Sequence, residues 1–443
     1  MSQDRSTFTA LDSVKHILTE LGVPPVHTDQ LHLSSASDGP GLPSSFKIGH
    51  LAQASIGLTA LLAALIHARR NSIPVPIVTV PLDHACIEFK SERLYSFDQY
   101  SPPPVWGPIG GLHKTANGYV RVHDNFPHHL DGTKRLLELG LEADRQAVAG
   151  RIATWRATEL ENAAFKAGLV IAALRSYDEW DATPQGQAVN NFPILLRKIG
   201  DAPAGFPEGL KKSGMDKCLG GLRVLEFSRV IAAPLAGKTL AVHGADVLWV
   251  TSPNLPDTPA LDCEFGRGER TIQLDLNAPE DREDLFRLPG SLTARGLGPE
   301  ELAKRYQRRG IICANMSAYG LDSPWSNRRG YDSLAEHFGD GEPARAAPCQ
   351  VLDHASGYFL AAGVLAALYK QSTEGGSWQV DVSLAGVMRY LRTLGQYEGS
   401  TGPTGFGEMK AVKHSACIAG VEVGWDAMPK PLGSDRKEWL LSN

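Results

Sequence analysis

The chain is poor in cysteine, with six in 443 residues: Cys86, Cys218, Cys263, Cys313, Cys349 and Cys417. No two form a Cys-x-x-Cys pair, which excludes a zinc knuckle and argues against a disulfide framework. A reducing compartment is therefore expected. There is no basic excess either: the formal charge is -5 with 21% charged residues, so nucleic acid and anionic membrane are not expected partners. The longest apolar run, Ala54 to His67, falls short of the roughly 18 residues that mark a membrane span and reads as a buried helix. The opening Met1-Ser2-Gln3-Asp4-Arg5-Ser6 lacks a basic stretch leading into an apolar one, and the ending Leu440-Leu441-Ser442-Asn443 is no peroxisomal address. The expected location is cytoplasmic. No Gly-x-Gly-x-x-Gly fingerprint and no Gly-x-Ser-x-Gly elbow occurs, so neither a bound dinucleotide nor a serine hydrolase is expected. His128 and His129 near Asp124, with His113 and His123, lack a cysteine or second carboxylate at ligand spacing, and no metal is expected there.

What remains is an average soluble composition, 42% hydrophobic, on a chain long enough for two or three lobes. Ser, Gly and Pro crowd Leu33 to Ser45, so residues 1–45 read as a short helical arm and linker. Pro203, Gly205, Pro207 and Gly209 mark the main break, separating residues 46–210 from residues 218–443. Gly399 to Gly407 is a third loose stretch. After the main break, apolar strands at Arg223–Phe227, Val247–Val250, Thr271–Leu274 and Gly310–Met316 alternate with helices near Pro234–His243 and Pro299–Gln307, and a long helix follows Asp353. That alternation predicts an α/β fold with a parallel sheet.

The two halves share a pattern. Gly49-His50-Leu51-Ala52, a helix ending Leu61-Leu62-Ala63-Ala64-Leu65, and Val78-Thr79-Val80-Pro81-Leu82 run parallel to a later series. That series is Leu352-Asp353-His354-Ala355, a helix ending Val364-Leu365-Ala366-Ala367-Leu368, and Val380-Asp381-Val382-Ser383-Leu384. Two partial copies of one unit are expected. Pairing the identical Leu82-Asp83-His84-Ala85 with Leu352-Asp353-His354-Ala355 instead would put the long helix on opposite sides of the two tetrapeptides. In the preferred register His50 stands where Asp353 stands, and only one copy keeps a carboxylate.

From Leu219 onward the chain resembles the family III CoA-transferases, the CaiB/BaiF family. The resemblance rests on Leu219-Gly-Gly-Leu-Arg-Val-Leu-Glu-Phe-Ser-Arg229, Ala233-Pro234-Leu235-Ala236-Gly237, Gly244-Ala245-Asp246-Val247 and Arg270-Thr-Ile-Gln-Leu-Asp275. It continues through Ala318-Tyr319-Gly320 with Pro324, Gly330-Tyr331-Asp332, Asp353 with its helix, and Glu374-Gly375-Gly376-Ser377-Trp378. Gly424-Trp425-Asp426 with Pro429 and Pro431-Leu432-Gly433 is similar to the family's C-terminal return strand, and Thr115–His123 with Tyr177–Trp180 and Pro184-Gln185-Gly186 to its small domain. Two departures stand out. Only Pro289 remains where the family has a further strand and coenzyme-lining loop, and Glu269 replaces the family's usual Lys, leaving Arg267 or Arg270 to substitute.

The resemblance implies a Rossmann-like parallel-sheet lobe with a smaller α+β domain, and a CoA-transferase that moves coenzyme A from an acyl-CoA to a carboxylic acid. It casts the coenzyme A thioester as substrate, with no permanently bound cofactor. It also implies either a homodimer or a pseudo-dimeric monomer. Asp353 takes the part of nucleophile, and Ser228, Arg229, Arg267, Arg270, Tyr319 and Gly320 those of coenzyme-contacting residues. From the residues alone, Asp353 reads first as the cap of its helix, a common role for Asp, and the two roles are compatible. The family's racemase branch has a His-Asp pair where this chain has Tyr331-Asp332, and Tyr is a poor base near neutral pH. The remaining alternatives are an acyl-CoA racemase or epimerase using His354 or Asp332, and a non-catalytic acyl-CoA-binding paralogue.

Overall fold

The computed structural model describes residues 4–35, 40–98, 104, 106–211, 216–281, 298–332, 347–397 and 415–423. The gap at Pro289, the loose stretch Gly399 to Gly407 and the return segment after Gly424 lie outside the described residues. The helices are α1 (Ala10–Glu20), α2 (Ile48–Asn71), α3 (Leu82–Glu88), α4 (Pro127–Leu136), α5 (Arg145–Ile152), α6 (Ala157–Lys166), α7 (Tyr177–Asp181), α8 (Pro184–Ala188), α9 (Ala232–Val242), α10 (Pro259–Phe265), α11 (Pro299–Arg305), α12 (Val351–Glu374) and α13 (Leu384–Thr393). The strands are β1 (Leu31–His32), β2 (Val78–Thr79), β3 (Gly111–Thr115), β4 (Gly118–Val122), β5 (Ile171–Ala173), β6 (Ile194–Gly200), β7 (Arg223–Glu226), β8 (Asp246–Thr251), β9 (Arg270–Gln273), β10 (Ile312–Ser317), β11 (Ser377–Ser383) and β12 (Cys417–Ile418).

The fold is mixed α/β. Where the alternation implied one parallel sheet, the described strands fall into four sheets of three. β7, β8 and β9 are parallel neighbours in that order, as the apolar strands after the main break predict. β10 and β11 are also parallel, and the other edge of β11 is taken by antiparallel β6, a strand from before that break. β3, β4 and β5 form an antiparallel sheet under α4, α5 and α6 with its own core, including Val120, Leu137, Ile152 and Leu160.

Two helices of 24 residues, α2 and α12, occupy the centre. Both are apolar on every face rather than along one stripe, the pattern of a helix surrounded by protein. Each is long and apolar enough to cross a membrane, yet 100% and 94% of the relevant windows are buried inside the fold. They touch each other where Thr59 Oγ1 reaches Tyr358 O at 3.0 Å. Close approach is possible because side chains are missing at the contacts: a Cβ on Gly357 would lie 2.6 Å from Ala232 O of α9. One on Gly363 would lie 2.3 Å from Val380 Cγ1 of β11. A strand and a helix follow in each case, β2 and α3 after α2, and β11 and α13 after α12. The N-terminal segment joins this core through Val14, Ile17 and Leu18 of α1 and through β1, which pairs with β2.

Candidate active site

α12 begins at Val351, two residues before the start expected at Asp353, and its N-cap residue Gln350 makes no side-chain cap bond. The first N–H groups of a helix need partners. Here Asp332 supplies them: its Oδ1 accepts from Leu352 N at 2.7 Å and from Asp353 N at 3.2 Å. Capping therefore falls to Asp332, and the Asp353 side chain is available for other work. It is only 6% exposed. Burial pushes its carboxyl well above the ordinary carboxylate range, the charges of Asp332 and Glu92 push it further, and a hydrogen bond with Gln350 offsets part of the rise.

The next residue, His354, is fully buried and its Nε2 lies 3.0 Å from Glu92 Oε2. One turn on, Tyr358 donates to Glu88 Oε1 at 2.6 Å, and Ser415 N donates to the other oxygen of Glu88 at 2.7 Å. Phe89 lies between the two carboxylates in sequence and stacks on both rings, 5.3 Å from His354 and 6.0 Å from Tyr358. Burial would raise Glu92, but its hydrogen bond to His354 and the charges of His354 and Arg93 outweigh this and hold it below the usual range. No local motif in the sequence marks Glu88 or Glu92; their partners lie 270 and 262 residues away.

On the other side stands Tyr331, stacked on His123 of the small lobe at 3.9 Å between centroids. Burial raises its phenol, Arg229 and Arg329 lower it, and Asp353 raises it again, so both arginines and Asp353 act on this ring. Arg229 also lies over Phe126, 5.0 Å from its centroid, and donates to Pro256 O. It lines a recess with Trp249, Thr251, Leu255, Asp257 and Asp262, at the carboxyl ends of β7 and β8 where α/β folds bind ligands. Asp353 is not among the residues lining that recess. Ser228 turns back to donate to Glu226, and its carbonyl accepts from Trp249 Nε1 at 3.1 Å.

The other predicted contact residues have partners of their own. Arg270 pairs with Asp246 across β8 and β9 at 2.8 Å. Arg267 meets Glu264 at 2.9 Å, beside fully buried Lys238, which meets the same carboxylate at 2.5 Å. Tyr319 packs edge-on to Trp325 at 5.3 Å, and its carbonyl accepts from Gln185 at 2.9 Å, which ties this loop to the small lobe. Gly320 has a φ of +96°, a turn conformation suited to glycine. Glu269 faces a second buried carboxylate, Glu226. A Cβ on Gly237 would sit 1.5 Å from Glu226 Oε2 and 2.6 Å from Glu269 Oε1. The two oxygens thus stand within about 4 Å of one another, close enough for strong mutual repulsion if both ionise. Burial raises Glu226 to about 8 against a hydrogen bond from Ser228. Burial and then the charge of Glu226 raise Glu269, while Lys238 lowers it. Of the histidines near Asp124, His129 lies 4.2 Å from His128 and 5.7 Å from His123 between ring centroids, while His113 bonds Ile109 O at 2.8 Å and Asp124 accepts from Ile109 N at 2.7 Å.

Residues 219–406 match the sequence model of CoA-transferase family III, which bears out the resemblance read from the sequence. An acyl-CoA transferase of Gibberella moniliformis is 28% identical over 343 residues, covering 70% of this chain and 58% of that protein. A probable fatty acyl-CoA transferase of Mycobacterium tuberculosis is 33% identical over 202 residues, covering 38% of this chain and 50% of that protein. A solved structure of a hypothetical Mycobacterium tuberculosis protein is 30% identical with a TM-score of 0.35, covering 40% of this chain and 58% of that one. The chain thus spans between half and three fifths of the length of these relatives.

Proposed function

We propose that the protein is an acyl-CoA:carboxylate CoA-transferase and that Asp353 is its nucleophile. The observation that carries this reading is the division of labour at the start of α12, where Asp332 caps the helix and Asp353 keeps its carboxylate. In the reaction, the ionised Asp353 carboxylate attacks the donor thioester carbonyl, forming a mixed anhydride and expelling coenzyme A thiolate. The thiolate then attacks the aspartyl carbonyl, which releases the donor acid and leaves an aspartyl-CoA thioester. The acceptor carboxylate repeats the two steps in reverse, forming the acceptor's CoA thioester and restoring Asp353. A carboxylate suits this task because its acyl derivatives stay reactive, dividing one hard exchange into easier ones. Arg229 would contact the coenzyme from the recess beyond β7 and β8, and Ser228 from the position just before it.

The weakened acidity of the Asp353 carboxyl sets the pH dependence. A raised carboxyl is protonated over more of the acid range, so activity falls as pH drops through its folded value. A racemase would need a base opposite the acid, and burial pushes the Tyr331 phenol further from that role. Residues 1–45, 46–210 and 218–443 are read as arm, partial copy with small domain, and Rossmann-like lobe. Support for two copies comes from α2 and α12, where His50 and Asp353 are each the third residue of a 24-residue helix. Leu82 and Leu384, paired in the same register, each open the next helix.

The test is incubation with an acyl-CoA and a labelled acceptor acid, followed by hydroxylamine trapping and peptide mass spectrometry. A hydroxamate at residue 353 with label in the thioester is expected, and Asp353→Asn is expected to abolish both. Exchange that survives Asp353→Asn removes the nucleophile assignment. Solvent deuterium entering next to the thioester carbonyl without exchange of coenzyme would make the protein a racemase, and binding without either reaction a non-catalytic paralogue.

A further inference from the structure

We propose that Glu92, from the N-terminal half of the chain, is a positioning residue for Asp353, anchoring the adjoining His354 and bringing a second buried carboxylate to the start of α12. This rests on the reading of Asp353 as nucleophile. Glu92 lies outside residues 219–406, the segment that carries the family match.

The geometry is a two-point clamp. Glu88 and Glu92 hold Tyr358 and His354, which are four residues apart and so stack on one face of α12. Phe89 fills the space between the two bonds by stacking on both rings. All five side chains are buried, with Glu88 and Glu92 exposed by 1% and 8%. In such surroundings a hydrogen bond to a carboxylate is worth more than at the surface and costs more to break. The clamp acts on the first two turns of α12 and thus on the backbone that carries Asp353.

The charges facing this corner come from every element packed there. Asp332 and Tyr331 approach from ahead of α12 in the chain, and Gln350, Asp353, His354 and Tyr358 belong to α12 and its cap. Glu88, Glu92 and Arg93 come from α3 and the turn after it. Lys238 of α9 acts on this corner through Glu264 of α10 and Glu88, and Arg267 through Glu264 and Tyr358. Only Asp332 and Glu92 raise Asp353 by their charge, and Asp332 is occupied as the helix cap. Glu92 is therefore the group that can be neutralised without uncapping the helix. An ionised Glu92 opposes ionisation of Asp353 in the resting site. It leaves the nucleophile a stronger base once the proton is lost.

Glu92→Gln keeps the size of the side chain and an oxygen that accepts from His354, but removes the charge. The first readout needs no acyl-CoA. In urea unfolding at high and low pH, Asp353→Asn is expected to stabilise the protein less in the Glu92→Gln background than in wild type at high pH. Additive effects at every pH overturn the proposal. The second readout is formation of the residue 353 hydroxamate against pH. One pH unit below the wild-type midpoint Asp353 is about one-tenth ionised, and a downward shift of roughly half a unit raises the rate about threefold. Glu92→Asp, which keeps the charge, is expected to retain the wild-type midpoint. An unshifted acid limb in Glu92→Gln overturns the proposal. Coupling in the unfolding cycle without any hydroxamate in wild type would retain Glu92 as the group that tunes Asp353 and overturn the transferase reading instead. If Glu92→Gln does not fold, His354→Gln tests the same anchor: a fall of about tenfold or more in kcat at unchanged KM supports it, and an unchanged kcat overturns it.

Discussion

Replacing Glu226 with glutamine removes one charge from the buried pair beside Gly237 while keeping the shape of the side chain and an oxygen to accept from Ser228. In the folded chain the Glu226 carboxyl titrates at about 8, against 4.5 for a free one, chiefly because burial penalises the charged form. Above pH 4.5 the unfolded chain has given up a proton that the folded chain still holds. Stability therefore falls as pH rises, until the folded carboxyl also ionises near 8. At 1.36 kcal/mol for each unit of difference, the loss reaches about 3 kcal/mol at pH 7 and about 5 kcal/mol above pH 8. Glu226→Gln is insensitive to this loss. It also relieves Glu269 of its repelling neighbour, which acts in the same direction. The expected result is equal urea midpoints for variant and wild type near pH 4, with the variant more stable by several kcal/mol at pH 8. The slope of free energy against urea should be unchanged, because the surface exposed on unfolding is the same. Parallel pH profiles for the two proteins would refute the account of a buried, proton-holding carboxylate pair.

Gly237→Ala should destabilise the protein by about 1–3 kcal/mol or more, since the new methyl collides with both carboxylates. Gly150→Ala is the control: nothing lies within 4 Å of its Cβ, and a thermal melt should show it unchanged or slightly stabilised. Burial, then the charge of Lys47, lower His50 to about 4 against the pull of Asp12. Stability should accordingly be lost as pH falls from 6.5 towards 4, by about 3 kcal/mol in all. His50→Gln should flatten that limb in denaturant titrations between pH 4 and 7.

Much of the region after the main break is legible as pattern. Strands predicted at Arg223–Phe227, Val247–Val250 and Thr271–Leu274 form at Arg223–Glu226, Asp246–Thr251 and Arg270–Gln273, each within a residue or so at either end. Short apolar runs between turn residues fix such strands locally. What no run could indicate is which strands become neighbours. β6 lies against β11 because both have an edge to cover, and Leu195 meets its register partner Asp381 across 186 positions of sequence. Arg267 and Arg270 illustrate the same limit at the site. Their charge suggests a ligand, yet Glu264 and Asp246 stand opposite them for reasons set by packing. Asp353 is legible through its motif, whereas Glu92 is invisible because its partner is distant in sequence and near only in space.

The all-round burial of α2 has a consequence for biosynthesis. This helix is made early, yet part of its surface is covered by α12, whose first residue follows its last by some 280 positions. At about 5–20 residues per second, on the order of 14 to 56 s pass before that cover is synthesised. Through that interval the nascent chain carries a greasy rod with one flank open.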